Sequence, residues 1–441
     1  MIYQPDHRLF ASGLALFDQV SPAQFPKTIL RYRHNKAARD IGLESLDDQA
    51  WISHFGRFKA LEPSQPDPMA LRYHGHQFRH YNPDLGDGRG FLWAQMREAQ
   101  GRLLDLGTKG SGTTPYSRRG DGRLTLKGGV REVLATTMLE ALGVNSSRSF
   151  SLIETGEDLV RYDEPSPTRS GILFRLSHSH IRIGTFERLA YLEDKATLND
   201  LVAYVCATYY PQIAPEPLSL FQAVIDAMAK TCAQWMAAGF VHGVLNSDNL
   251  NITGESFDYG PYRFLPHYDP RFTAAYFDEG GLYAYGRQAD AVFWNIGQLG
   301  RALSLICESD GLISAYQGFE AAYHRHLHQA FCARLNLKPK GFEADNQMIT
   351  QLFHTLEGHK TPGSFETLFY TVFFGHDLSL AAIKGYEVAD PSKHELKTPM
   401  QTLLIDEIEA IWAQIAEHDD WQPFYDKLAA IETYGEALGL R

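Results

Sequence analysis

The spacing of apolar residues changes once along this chain, near residue 185, and that change limits the folds open to it. Before it, Phe91–Met96 is a short apolar run with strand character that forms a hairpin signal with Arg102–Lys109, and short runs alternate in steps of two at Ser149–Ile153, Asp158–Tyr162 and Gly171–Ser177, with Gly, Pro and Ser between them. Such runs read as strands of a mostly antiparallel sheet with at least five members. One helical stretch interrupts them, from Thr125 to Leu142. Val130, Val133, Leu134, Thr137, Met138, Ala141 and Leu142 share one face there, and Gly143 closes it. After residue 185 the period is helical. Leu218 to Ala238 is amphipathic and ends at Gly239; Gln288 to Glu308 places Trp294, Leu299 and Leu303 on a core face. The remainder reads as a helical bundle with a loop at Asp390–Thr398. Strands followed by helices predict the α+β class. Residues 1–70, with the Pro-rich piece Leu61-Glu-Pro-Ser-Gln-Pro-Asp-Pro68, read as short helices and loops packing on a later domain.

Composition excludes several classes. A net charge of −12 argues against generic nucleic-acid binding. Cys206, Cys232, Cys307 and Cys332 stand singly, without disulfide or zinc spacing, and read as free thiols that are mostly buried. Neither an N-terminal apolar run nor an apolar stretch of about 18 residues occurs, so no signal peptide or membrane span is expected, and the cytoplasm is the expected location.

Against that acidic background, residues 72–131 carry eleven Lys and Arg but five Asp and Glu, which suits a bound polyanion. Leu85-Gly-Asp-Gly-Arg-Gly90 precedes the first strong strand signal, and its glycines let backbone amides approach a phosphate. The spacing matches neither the dinucleotide fingerprint nor a Walker motif. Lys109 ends the next strand and is placed to reach phosphates held under that turn. The polar loop Gly110–Arg123 follows. Glu132, off the apolar face of the helix, is free to pair with Lys109. Arg175 and Arg182 sit among apolar residues and need an anionic partner if buried, either a phosphate or a structural carboxylate. His74-Gly-His-Gln-Phe-Arg-His80 reads as hydrogen-bonded structural histidines, because no acidic or Cys ligand completes a metal set at helix or hairpin spacing.

Phe240-Val-His-Gly-Val-Leu-Asn-Ser-Asp-Asn249 and Asp258-Tyr-Gly260 complete the picture. An Asp-Asn pair followed about ten residues later by Asp-aromatic-Gly is the metal-site arrangement of protein-kinase-like folds. His-Arg-Asp is absent and Tyr259 replaces the usual Phe, so the pattern is not that of an ordinary kinase.

In this order, Gly75–Phe78, Leu85–Gly90, Lys109–Arg118, Gly120–Arg123, Arg131-Glu132, Ser179–Gly184, His242–Asn249 and Asp258–Pro261 resemble the selenoprotein O family, whose bacterial branch is also called YdiU. The resemblance implies a two-lobed protein-kinase-like fold, with an antiparallel-sheet N-lobe, a helical C-lobe and an extra helical C-terminal extension. The corresponding boundaries are 1–70 for an N-terminal extension, 71–184 for the N-lobe, 185–310 for the catalytic C-lobe and 311–441 for the helical extension. It also implies ATP bound in an inverted pose and AMP transferred to Ser, Thr or Tyr hydroxyls of proteins. Carried over by position, Gly86, Gly88 and Arg89 belong to the nucleotide pocket, as do Asp121 and Gly122. Lys109, oriented by Glu132, and Arg175 and Arg182 hold phosphates. Asp248 accepts the proton, while Asn249 and Asp258 bind Mg²⁺ or Mn²⁺. Three alternatives remain open at this stage: UMP transfer from UTP with Mn²⁺, a kinase-like phosphotransfer, and a scaffold that binds nucleotide without catalysis. Arg79-His80 stands where the family usually continues with Gly. Many members carry a Cys or selenocysteine near the C-terminus and a second Cys after the Asp-Tyr-Gly segment; here these places hold Ala-Leu-Gly-Leu-Arg441 and Thr273-Ala-Ala275, so redox control through that bond is not expected.

Overall fold

A computed structural model describes residues 2–62, 67–162 and 164–440; the centre of the Pro-rich piece, 63–66, lies outside the described residues. Its N-terminal half is built on strands β1 (Pro5–Asp6), β2 (Phe17–Gln19), β3 (Ile29–Arg33), β4 (Met69–Leu71), β5 (Gly75–Gln77), β6 (His80–Asn82), β7 (Leu92–Arg97), β8 (Leu103–Lys109), β9 (Leu124–Thr125), β10 (Arg148–Leu159) and β11 (Thr168–Ser177). Nine of these form one sheet in the order β2-β4-β7-β8-β11-β10-β3, with β1 added to β7 and β9 to β11. Its pairings are all antiparallel, and β5–β6 is a separate hairpin.

Two expectations need correcting. Residues 1–70 hold not only the short helices α1 (Arg8–Ala11), α2 (Asn35–Asp40) and α3 (Asp48–Phe55) but also four strands of the main sheet, two of them its edges. Strands of two to five residues are too short to show a period. The runs at 149–153 and 158–162 are not two strands; β10 is continuous through Leu159, with a register shift between Glu154 and Asp158. Gly156, at φ 73°, interrupts the alternation there without ending the strand.

Both faces of the sheet are covered, which explains why β8 is buried along its whole length. Alternate residues Leu104 and Leu106 of β8 and Ile172, Phe174 and Leu176 of β11 pack with Trp51 and Phe55 of α3. Leu103 and Leu173, on the opposite face, pack with Leu126, Val130 and Leu134 of α4 (Leu126–Ala141). The period of two therefore puts Lys109 and Arg175 on the α4 face. They are diagonal neighbours, since Lys109 pairs with Leu173 and Arg175 with Gly107. Helix α4 starts where Thr125 Oγ1 accepts the Gly128 N–H at 3.1 Å.

The second half is helical, with α5 (Ile183–Tyr191), α6 (Lys195–Tyr209), α7 (Pro217–Ala237) and α8 (Gln288–Leu303). Between α7 and α8 the two short strands Phe240–Val241 and Arg263–Phe264 pair and bracket residues 242–262. Helix α8 ends at Leu303 rather than Glu308, and Trp294 is only half-buried, against the His76 ring. Leu299 and Leu303 are in the core as expected. Among the described residues six α-helices follow: α9 (Ser309–Gln317), α10 (Phe319–Arg334), α11 (Phe342–Glu357), α12 (Ser364–Phe373), α13 (Ile405–His418) and α14 (Gln422–Leu438). Gly435 of α14 lies directly on Ala141 of α4, and Lys127 of α4 pairs with Glu409 of α13 at 2.7 Å. Of the four thiols, all free, three are buried and Cys307 is partly exposed. Among the described residues no helix is long and apolar enough to cross a membrane.

Candidate active site

Lys109 ends β8 with its ammonium group buried between two carboxylates. It donates to Glu132 Oε1 and, at 2.8 Å, to Asp258 Oδ1. Glu132 is on α4, 1% exposed, so the helix faces the sheet with one acid among its apolar residues. Arg175 adds a second cation to Asp258, its Nη1 3.3 Å from Oδ1. Burial by itself would raise the Asp258 pKa, but Lys109, Arg175 and Arg182 together hold it well below the usual carboxylate value. Its backbone lies in the left-handed region at φ 65°, which is uncommon for a residue other than Gly and is held by what surrounds it. Tyr259 is buried next to it, with its hydroxyl 2.7 Å from Ser146 Oγ and 2.8 Å from Ser256 Oγ.

The segment before Asp258 is held by polar side chains from α8. Gln288 donates to the Phe240 carbonyl at 2.9 Å and accepts the His242 N–H at 3.0 Å. Asn295 donates to the Leu245 carbonyl at 2.8 Å. The buried His242 ring meets the Phe257 carbonyl at 3.0 Å and so links the two ends of the segment. Burial also lowers the His242 pKa, which leaves the ring neutral. Asp248 lies in the resulting turn. Arg182 donates to its backbone carbonyl at 2.9 Å and to Asp87 Oδ1 at 3.1 Å. Asp248 Oδ1 is buried without a hydrogen-bond partner among the described residues, and burial pushes the pKa of the group up to about 6. Asn249 donates through Nδ2 to the Val244 carbonyl at 3.0 Å.

These side chains open on a cleft of about 880 Å³. Its lining includes Gly86, Gly88, Arg89, Lys109, Asp121, Gly122, Arg175, Arg182, Asp248 and Asp258; Glu132 stands behind Lys109, and Asn249 is also off the lining. Eight Lys and Arg line it against four Asp, the sign a polyanion needs. The N–H groups of Gly86, Gly88, Arg89 and Gly90 have no partner among the described residues, so they remain free for an anion. The glycines have a second reason to be there. A Cβ on Gly86 would lie 2.3 Å from the Tyr116 ring, and one on Gly90 would lie 2.0 Å from the Thr108 carbonyl oxygen. Gly122, at φ 68°, rests on the Gly112 backbone in the same way. The 110–123 loop is thus packed onto the Gly-rich turn as one wall of the cleft, with Asp121 tied to Arg161 at 2.9 Å.

The sequence matches the family described as "Protein adenylyltransferase SelO" over residues 2–374. This chain belongs to the SelO family. It is 41% identical to the protein nucleotidyltransferase YdiU of Synechocystis sp., over 98% of both chains. It is 43% identical to that of Gloeobacter violaceus, over 97% of this chain and 94% of the relative. With that of Synechococcus elongatus identity rises to 49%, over 78% and 68% respectively. The chain is accordingly an enzyme, a protein nucleotidyltransferase.

Several residues that build this SelO-family site carried no assignment from sequence. Asp87, between two of the glycines, holds Arg182 through Oδ1 and accepts the Leu71 N–H at 3.1 Å through Oδ2. An acid inside a Gly-rich turn in a basic stretch was the available signal. Gln288 and Asn295 were visible only as polar positions on the inner face of an amphipathic helix. Asp18 reaches the cleft wall from residues near the N-terminus, accepting from Arg72 and from the Tyr116 hydroxyl, and had no local signal. His74 is hydrogen-bonded to Tyr81 at 2.7 Å and His76 to Glu187.

Proposed function

We propose that this enzyme transfers AMP from ATP to Ser, Thr or Tyr hydroxyls of protein substrates and releases pyrophosphate, within a two-lobed protein-kinase-like frame that holds the nucleotide inverted. The convergence of Lys109, Arg175 and Arg182 with Asp248 and Asp258 on one cleft carries this reading. In an in-line transfer the substrate oxygen bonds to the α-phosphorus while the bond to the β-phosphate oxygen breaks, and the departing pyrophosphate takes negative charge with it. Lys109, Arg175 and Arg182 are preorganised cations for that charge, held in place before the nucleotide arrives. Asp248 receives the hydroxyl proton. Its Oδ1 has no competing donor among the described residues, and a pKa near 6 leaves it ionised yet more basic than an exposed Asp.

The donor set also suits a hard divalent cation. Both contacts to Asp258 use Oδ1, and among the described residues neither Asp258 Oδ2 nor Asn249 Oδ1 accepts a hydrogen bond. Among the described residues no group of three or more His, Cys, Asp or Glu is arranged to hold a metal by itself. One carboxylate, one amide oxygen and substrate phosphates form a set that Mg²⁺ accepts. Asn249 and Asp258 would hold Mg²⁺ or Mn²⁺, which supplies further neutralisation of phosphate charge when bound.

The test is parallel labelling with α-labelled and γ-labelled ATP, with UTP alongside, in Mg²⁺ and in Mn²⁺, and D258A as control. Label on protein from the α-position alone, lost in D258A, is the expected result. Label from the γ-position alone would make the enzyme a phosphotransferase; transfer only from UTP would change the donor.

A further inference from the structure

The proposed base sits next to a buried polar network that the transfer reaction itself does not use. Glu187, on α5, is 4% exposed in its side chain. Its Oε2 accepts the Ser247 hydroxyl, and its Oε1 meets His76 Nδ1 on the β5–β6 hairpin. Ser247 Oγ in turn accepts the His76 backbone N–H at 2.7 Å. Ser247 is completely buried and precedes Asp248 in the chain. The hairpin also presses on this turn: a Cβ on Gly75 would lie 3.1 Å from Ser247 Oγ and 3.2 Å from Asp248 Cβ. One residue further back, Asn246 Oδ1 accepts the Phe78 N–H at 3.1 Å.

Helix, hairpin and turn therefore meet at one hydroxyl. A serine oxygen has one proton to give and two lone pairs, and here it gives to a carboxylate while accepting from a backbone amide. Hydrogen bonds to a charged group are the stronger kind, so this junction fixes the turn more firmly than neutral bonds would. Neither Glu187 nor His76 lines the nucleotide cleft. Both line a separate cleft of about 500 Å³ that shares no residue with it. Glu187 is thus adjacent to the chemistry in structure but out of reach of the nucleotide.

We infer that Glu187 is a positioning residue for Asp248: through the Ser247 hydroxyl and the His76 imidazole it ties α5 and the β5–β6 hairpin to the turn that carries the base. The inference rests on Asp248 being the proton acceptor. Its consequence is a loss confined to the chemical step. A displacement of the base by about 1 Å is enough to slow transfer about 100-fold, while the phosphate-binding side chains stay where they are.

The experiment compares E187Q, S247A, the double variant E187Q/S247A and D248N, measuring AMP transfer to an acceptor protein and the Kd of ATP on the same preparations. E187Q and S247A are each expected to lower kcat by about 10- to 100-fold with the KM and Kd of ATP within about twofold of wild type. The double variant is expected to be no slower than the slower single one, because both changes cut the same connection. Wild-type kcat in S247A or E187Q, with D248N inactive, would overturn the positioning role and leave the base assignment standing. Losses that multiply in the double variant, or that appear equally in ATP binding, would also overturn it, since general loosening gives that result. D248N transferring at the wild-type rate would refute the base assignment instead. If E187Q does not fold, S247A, which removes one oxygen and no charge, decides the matter.

Discussion

Replacing Lys109 with Met separates what the buried ion cluster does for folding from what it does for catalysis. At 2.8 Å and an effective dielectric near 20, Lys109 and Asp258 attract by about 6 kcal/mol, and desolvation of each buried ion offsets several kcal/mol of this. Taking away the cation alone removes the attraction but not the penalty on Glu132, whose carboxylate stays buried with one oxygen already lacking a partner among the described residues. Breaking such a pair from one side costs about 3–5 kcal/mol. K109M is therefore expected to unfold at a clearly lower urea concentration than wild type. The double variant K109M/E132L replaces both charges with apolar groups of similar size and is expected to recover most of that loss. Asp258 keeps Arg175 and Arg182 in both variants. Transfer from α-labelled ATP should be lost in both, since neither has the ammonium group proposed to meet the departing pyrophosphate. A K109M protein as stable as wild type, or a double variant that transfers at the wild-type rate, would refute this reasoning.

Three further outcomes are expected. Arg182→Lys keeps the charge but not the fork that reaches both the Asp248 carbonyl and Asp87, so kcat/KM should fall about 100-fold, or about 2.7 kcal/mol; retention of half the wild-type value would contradict this. Gly86→Ala brings a methyl group to 2.3 Å from the Tyr116 ring, so ATP titrations should show weaker binding that G86A/Y116A partly restores, and equal weakening in both would contradict the packing account. Glu255 is buried, which pushes its pKa up to about 7 from 4.5, so the folded chain holds a proton that the unfolded chain releases. Stability attributable to this group is present below about pH 4.5 and is lost as pH rises toward 7. E255Q still has an oxygen for the His178 N–H; thermal melts should find it equal to wild type at pH 4.5 and up to about 3 kcal/mol more stable at pH 8.

The chain states its local structure openly and its distant contacts hardly at all. Helix α4 was legible within a residue at each end, because its apolar face, Thr125 cap and Gly143 stop are all local. Strands β7, β8 and β11 were legible as short, largely apolar runs bounded by turn residues, the mark of strands buried on both faces. The short strands β2, β3 and β4 were not, since each is short enough for its partners rather than its own composition to decide it. The same division runs through the site. Lys109, Asp248 and Asp258 stand out as charged residues in motif spacing, and the order of motifs carried the family. Asp87, Gln288, Asn295 and Glu187 did not stand out, because each gains its meaning from a partner at least 46 residues away.

By itself, then, the sequence determined the α+β division, the limits of α4 and α7 to within a residue, and the stock of cations and acids available to a phosphate-bearing ligand. Only the tertiary structure decided which of these groups meet. It put Lys109 between Glu132 and Asp258, gave Arg182 to Asp87 and the Asp248 carbonyl, and left Asp248 Oδ1 buried without a partner among the described residues. The physical reason is that periodicity is a property of neighbours in the chain, whereas burial, ion pairing and the pKa values that follow depend on groups that only folding brings within a few ångströms.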